Sequence, residues 1–403
     1  MKNRLELFRK QIAAFDGAAD PTGAIRKGYI IEEPYQSSTN TLFKRISLRP
    51  QSKNLLIGGI GLGKTTQILK LFQIFQENPD IGIFPLYIDV SEYTRPNDIQ
   101  VGTLDTIIGL ELINLFENAS ENYGLKVDES RKKIIQEFAY GSTVTQSERS
   151  LFEQLKNSEA LSILKTPSSK GVLSSYTRLT NLSTRLVQVL SSLLKDFQTK
   201  FKQTSYFLFD GLDRVDEVEK VTQAASLDLL NSGIGFLIAG AASLLYSRFI
   251  NSIDNIFNHI EYRSAFDVER YEEAYLFFRT VLLARADKNF FQTDALNDLI
   301  ILSGGVLRDL INLTQESIQE AYLNDTEIVE REHVEKAMLS MGRVKILCLN
   351  KEQDTTLKKL TESTLVTPTS PEEIYLLSSG RILEYGFPER RFDLHPVIRQ
   401  FVV

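Results

Sequence analysis

Apolar residues fall into two different periods along this chain. In the first two-thirds, short unbroken apolar runs alternate with helical patterns. Leu55-Leu56-Ile57, Ile83 to Val90, Tyr206 to Phe209, Phe236 to Ala239 and Ile260 to Phe266 each read as a buried strand. Pro85 lies inside the second run and lacks a backbone donor, so it predicts an edge position or an irregular start there. Between the first two runs, Ile68, Leu69, Leu71, Phe72 and Phe75 mark the apolar side of a helix over Thr65 to Gln76. Leu5 to Phe15 reads as a short amphipathic helix, followed by a turn at Asp20-Pro21-Thr22-Gly23 and a short apolar stretch, Tyr29-Ile30-Ile31. Residues 101–204 are mostly helical in pattern, with no strand signal of their own. Strands separated by helices predict an α/β layered fold with a mostly parallel sheet.

From Glu269 onward the period is helical only, over Tyr271–Ala284, Asp294–Leu302, Leu307–Tyr322 and Arg331–Met341. After Gly342 the pattern changes again: helices at Thr355–Ser363 and Pro371–Ser379, then Ile382 to Tyr385, a turn at Gly386 to Glu389, and Arg391 to Leu394. Two short apolar runs around a Gly/Pro turn predict a hairpin, and helices followed by a hairpin predict a small winged-helix domain. The expected division is therefore an N-terminal arm over 1–24, an α/β core over 25–268 with a helical insertion at about 101–204, a helical lid over 269–342, and a winged-helix-like domain over 343–403.

Composition narrows the chemistry. The 403 residues carry a net charge of −6, which argues against a generic binder of polyanions. The lone Cys348 cannot form an internal disulfide, and His259, His333 and His395 are too scattered for a zinc spacing. The first residues lack an apolar leader core, and no uncharged apolar run reaches the roughly 18 residues needed to cross a bilayer. The expectation is a cytoplasmic protein without a membrane partner.

One segment carries specific chemistry. Gly58-Gly59-Ile60-Gly61-Leu62-Gly63-Lys64-Thr65 matches G-x-x-x-x-G-K-[ST], with a strand pattern before it and a helix pattern after it. Glycines let successive backbone N–H groups curl around an anion, and the following helix, continuing through Thr66, points its positive end at the same place. Lys64 can reach β- and γ-phosphates and the Thr65 hydroxyl can ligate magnesium. ATP and Mg2+ are the predicted ligands. Downstream, the apolar run Tyr206 to Phe209 ends in Asp210, the place of a second magnesium-holding group acting through water. Gly211-Leu212-Asp213 follows. Asp213 is the nearest acid able to orient or activate water; its alternative role is a helix cap.

Together these motifs resemble AAA+ ATPases, in the branch of Orc/Cdc6-like initiators and their STAND relatives. Ser303-Gly304-Gly305-Val306-Leu307-Arg308 looks like that branch's sensor-2 motif at the start of a lid helix. The resemblance implies that Arg308 reaches back to the γ-phosphate. It implies a polar sensor 1 after the fourth strand, where Ser243 stands, and an arginine finger acting on a neighbour's ATP, for which Arg248 fits best and Arg263 less well; otherwise these are solvated arginines. By the same analogy Tyr29 and Ile31 line the adenine site. Many AAA+ enzymes have a glutamate directly after the Walker-B aspartate; here Gly211 takes its place, and the resemblance then implies slow hydrolysis. In the C-terminal domain, Arg381, Arg390 and Arg391 sit near the expected wing and would contact phosphates of double-stranded DNA, although nine basic residues against eight acidic ones leave residues 343–403 close to neutral. Two functions follow: an ATP-gated homo-oligomer that loads on or remodels DNA, as initiators and transposition regulators do, or a STAND-like signalling ATPase in antiviral defence whose effector is a protein.

Overall fold

The computed structural model describes residues 2–16, 21–34, 38–95, 98–99, 102–123, 127–140, 180–213, 233–246, 253, 255–347, 349–362, 367–387 and 389–402. Five strands, β1 (Lys53–Gly58), β2 (Ile83–Asp89), β3 (Thr204–Asp210), β4 (Gly235–Ala241) and β5 (His259–Arg263), form one parallel sheet in the order β2-β3-β4-β1-β5. All five fall on the apolar runs of the sequence, although β5 stops at Arg263, short of the run's end at Phe266. Pro85 is on β2, an edge strand, where its missing donor breaks no ladder inside the sheet.

Alternate residues of the strands feed two cores. Leu55, Ile57, Phe207, Phe209, Phe236 and Ile238 face one layer, while Leu56, Tyr206, Leu208, Leu237 and Ala239 face the other. A period of two explains why the strands read as unbroken apolar runs: both faces are covered. The second layer is made by α3 (Ser38–Leu48) and α4 (Lys64–Glu77), through Leu42, Ile46, Ile68, Leu71 and Phe75. The first is made by α5 (Thr103–Tyr123), α6 (Glu129–Tyr140) and α7 (Thr180–Phe201), the described part of the long helical stretch. These three helices bury Leu104, Ile107, Ile108, Ile135, Leu190 and Phe197 over the sheet, so here the insertion is the cover of one sheet face. The short α2 (Pro21–Arg26) begins as helix where the sequence predicts a turn at Asp20–Gly23, and α3 stands where the sequence shows no clear period.

Beyond the sheet, α8 (Glu272–Leu283), α9 (Thr293–Leu302), α10 (Leu307–Leu323) and α11 (Arg331–Ile346) enclose a third core around Phe278, Leu299 and Leu313. The N-terminal α1 (Lys2–Ala14) packs into this same core through Phe8, and Phe15 just beyond it does likewise. Arg4 donates to the Tyr322 carbonyl at 2.8 Å and to that of Thr326 at 3.0 Å, covering the open end of α10. Last come α12 (Lys351–Glu362), α13 (Pro371–Ser378) and the antiparallel pair β6 (Ile382–Tyr385) and β7 (Arg391–Leu394), around Leu357, Leu376, Phe392 and Ile398. Two helices and a hairpin give the winged-helix arrangement. Among the described residues no helix is long and apolar enough to cross a membrane.

Candidate nucleotide site

The carboxyl ends of β1, β3 and β5 gather the polar groups, as parallel sheets with crossing helices do. β1 stops at Gly58, and Lys64 opens α4 after a loop in which Gly61 and Gly63 have φ near +80°. At Gly61 the demand is double. Besides the left-handed backbone, a Cβ there would lie 2.7 Å from the Cβ of Arg308. The backbone N–H of Arg308 donates to the Gly61 carbonyl at 3.2 Å. The phosphate loop and the first turn of lid helix α10 are therefore in direct contact.

Lys64 is 4% exposed. Its ammonium donates to the carbonyls of Gly58 (2.9 Å) and Gly59 (2.8 Å) and lies 3.1 Å from a carboxylate oxygen of Asp213. An ammonium has three donors, and all three are used. Burial pulls its pKa down, against the attraction of Asp213 and Asp210. Asp210 ends β3, buried beside Tyr87, whose hydroxyl donates to it at 3.2 Å. Burial pushes its carboxyl pKa up, opposed by hydrogen bonds from the Thr65 hydroxyl and the Gly211 N–H. Thr65 and Asp210 are thus in contact. A hydroxyl and a carboxylate side by side at a phosphate loop suit magnesium, which keeps water and phosphate oxygens as its other ligands. Among the described residues no cluster of three or more His, Cys, Asp or Glu offers an all-protein metal cage.

Gly211 explains the missing glutamate after Asp210. Its φ is +81°, and a Cβ would stand 2.7 Å from the Asp89 carboxylate, which is fixed by the Ser91 N–H at 2.9 Å. Asp89 pairs in register with Asp210 across β2 and β3. A side chain at 211 is blocked by strain and by crowding; the turn it permits brings Asp213 back to Lys64.

A cavity lies between the core and the lid. Lys64, Thr65, Thr66, Gly61, Gly63, Asp213 and Arg308 line it, together with Tyr29, Ile31, Phe277, Val281, Arg285 and Ile311. Ser243, in the 3-10 turn 242–246 after β4, is not among the lining residues. Ile60 is exposed at the loop tip, and Leu62 is buried against Ala265, Val306 and Leu383. Arg248 falls outside the described residues.

Arg263 is neither a trans-acting finger nor a solvated arginine. It is 6% exposed; its Nε donates to the Leu62 carbonyl at 3.0 Å, and its two terminal nitrogens meet Glu33 at 3.0 and 2.7 Å. Glu33 also accepts from Gln67 Nε2 of α4 at 2.9 Å. A guanidinium spent on its own phosphate loop cannot reach a neighbour. Glu33 and Gln67 carry no motif, and a pair 230 positions apart leaves no trace in local pattern.

The three wing arginines are also occupied. Arg381 is buried and donates to the Lys345 carbonyl at 2.5 Å. Arg390 donates to Glu384 at 2.7 Å and to the Tyr246 hydroxyl at 2.7 Å. Arg391 makes a two-pronged contact with Asp267, both bonds 2.8 Å, and lies 4.0 Å over the Tyr385 ring. The expectation that they face DNA phosphates is met only by Arg390, whose side chain is half exposed; Arg381 and Arg391 are held in contacts within the chain.

A phosphate loop after β1, a carboxylate at the end of β3, the order β2-β3-β4-β1-β5 and a helical lid over the loop occur together. This is an AAA+ type of P-loop fold, with a C-terminal winged helix. No family model matches the chain, and no curated protein is significantly similar to it in sequence. Solved structures similar to it include the Aeropyrum pernix Orc1 protein in complex with DNA (12% identity, 92% of each chain covered, TM-score 0.46). Others are the Aeropyrum pernix Orc2 protein in ADPNP–ADP complexes (12% identity, 92% of this chain and 93% of that one, TM-score 0.47) and the Thermotoga maritima RuvB Holliday junction branch migration motor (14%, 89% and 91%, TM-score 0.39). Likenesses this distant assign no residue, ligand or partner to this chain.

Proposed function

We propose that this chain binds ATP with magnesium between core and lid, hydrolyses it slowly, and works as a nucleotide-gated switch. The observation that carries the reading is the saturation of Lys64, whose donors are satisfied by Gly58, Gly59 and Asp213, opposite Arg308 on the same cavity. A phosphate entering this site competes with the Asp213 carboxylate for Lys64. Displaced from the ammonium, Asp213 is free to orient a water. Thr65 and Asp210 would hold the magnesium ion, Asp210 through water, and the ion would neutralise charge on the β- and γ-phosphate oxygens. Arg308 stabilises the γ-phosphate from the lid. Losing that phosphate removes the lid's ionic contact and shifts its equilibrium relative to the core.

Slow hydrolysis follows from the site. Asp213 must leave Lys64 before it can orient water, and Gly211 leaves no room for an acid directly after Asp210. Arg381 and Arg391 are engaged within the chain, and Arg390, half exposed, is the wing arginine that double-stranded DNA would reach; a protein partner is the second reading.

The test measures ATP binding, phosphate release and size by light scattering, with ATP or ADP and with or without duplex DNA. Lys64→Ala is the control. ATP binding lost by at least ~100-fold with the variant, at charge-assisted bonds of about 1.5–3 kcal/mol each, supports the site; equal binding and turnover by both proteins would sink it. Growth to an oligomer with ATP alone supports a trans-acting residue and a protein-directed switch. Growth only with ATP and DNA supports the DNA-loading reading.

A further inference from the structure

Arg285 has no place in the phosphate chemistry, yet it lines the same cavity. It follows α8 and is largely covered. One terminal nitrogen donates to the Val281 carbonyl at 2.9 Å. Its Nε is fully buried and has no hydrogen-bond partner among the described residues. The guanidinium carbon lies 5.1 Å from the centre of the Tyr29 ring, within cation–π range. No carboxylate among the described residues contributes to its electrostatics. Burial lowers its pKa to about 10, so it stays cationic at neutral pH.

A buried donor with nothing to donate to is unusual in a folded protein and asks for an explanation. The surroundings supply one. Tyr29, Ile31, Phe277, Val281 and Ile311 make an apolar wall beside Arg285. Lys64, Asp213 and Arg308 line the same cavity. An apolar wall with a fixed donor-only group suits a flat heterocycle that carries an acceptor atom.

We infer that Arg285 is the base-reading residue of the nucleotide site, donating through its guanidinium N–H groups to an acceptor atom of the nucleobase. The inference rests on the nucleotide reading given above and deepens it. Arg285 is a specificity residue, acting on the base and not on the phosphates. A donor-only fork adds affinity for a nucleotide over its phosphate chain alone, and it does not by itself reject guanine, whose O6 and N7 are both acceptors.

Calorimetric titration of the full chain with ATP, GTP and inorganic tripolyphosphate, each with magnesium, tests this. Wild type should bind both nucleotides more tightly than tripolyphosphate. Arg285→Gln and Arg285→Ala should weaken ATP by about tenfold or more, the loss of one charge-assisted hydrogen bond, and leave tripolyphosphate unchanged. Unchanged tripolyphosphate binding also shows that the variants are folded. Arg285→Lys, which keeps the charge without the planar fork, should recover only part of the ATP affinity. An equal loss for ATP and tripolyphosphate would place Arg285 on the phosphates and overturn the inference, as would ATP binding indifferent to the substitution. Wild type that binds tripolyphosphate as tightly as ATP overturns base reading but keeps the phosphate site. Wild type that binds neither overturns both.

Discussion

Single residues around Lys64 decide whether this site turns over. Asp213 plays two parts that oppose each other: it neutralises Lys64 at 3.1 Å, and in the proposed function it positions water once phosphate has taken its place. Gly211 makes this possible, because only a backbone at φ +81° with no Cβ turns the chain back at that point. Asp213→Asn separates the two parts. The amide keeps the shape but gives up the charge that competes with phosphate, so ATP should bind at least as tightly as to wild type. It also loses the acceptor strength needed to orient water, so phosphate release should fall by about 100-fold. Binding and single-turnover release measured on one preparation check both halves. Wild-type turnover in the variant would remove Asp213 from the chemistry and leave it a counter-charge for Lys64.

Between elements, the phosphate loop is held by a buried clamp. Arg263 of β5 and Glu33, from the segment between α2 and α3, are 5% and 6% exposed at their side chains, and Gln67 of α4 joins them. Removing one member of a buried pair leaves the other charge uncompensated, at a cost of about 3–5 kcal/mol. Glu33→Ala should destabilise the protein by that order in urea unfolding, whereas Glu33→Ala with Arg263→Met should recover much of the loss. A double variant no more stable than the single one would show that the pair is not the source. This clamp also marks where sequence reading stops. The strands were legible because each is an apolar run buried on both faces, and the loop because phosphate demands glycines and a lysine at fixed spacing. The lid helices were legible to within a few residues, the last of them running on to Ile346, because each buries one stripe. α3 was not legible: Thr39, buried with Ser38, hydrogen-bonds to Gln67 and interrupts the apolar stripe of Leu42 and Ile46. Arg263 with Glu33, and the wing arginines with their acids, depend on partners far along the chain, which a local pattern does not encode.

Across the whole molecule, the segment Ser303–Asp309 joins three bodies. Tyr385 of the C-terminal hairpin donates to the Gly304 carbonyl at 3.1 Å, and Phe266 of the core donates to that of Gly305 at 3.1 Å. Arg308, lining the cavity, is followed by Asp309, whose carboxylate meets Lys345 at 3.1 Å and His395 at 2.9 Å. Burial pushes the Asp309 carboxyl pKa up, but Lys345 and His395 more than offset it, and the group stays well below the usual carboxylate range. His395 is fully buried; burial first, then Lys345 and Arg399, lower its pKa, against the attraction of Asp309. Its neutral form fits the contacts, with Nε2–H donating to Asp309 and Nδ1 accepting the Val397 N–H at 3.4 Å. The sign of the pH effect follows. The unfolded histidine, with a pKa of about 6.5, takes a proton before the folded one does. Its contribution is therefore fully present above about pH 6.5 and is lost as pH falls from there through the lower folded value. Protonation would put a hydrogen on Nδ1, against the Val397 N–H, and add a cation beside Lys345. The melting temperature should therefore drop between pH 7 and 5.5, above the range where most carboxylates titrate, and the drop should shrink in His395→Gln, whose amide can still donate to Asp309 without titrating. Scanning calorimetry of both proteins at matched ionic strength decides it: parallel pH profiles would mean that His395 is not the group that titrates, and a flat profile for the variant alone would place the acid-sensitive joint one residue from Arg308.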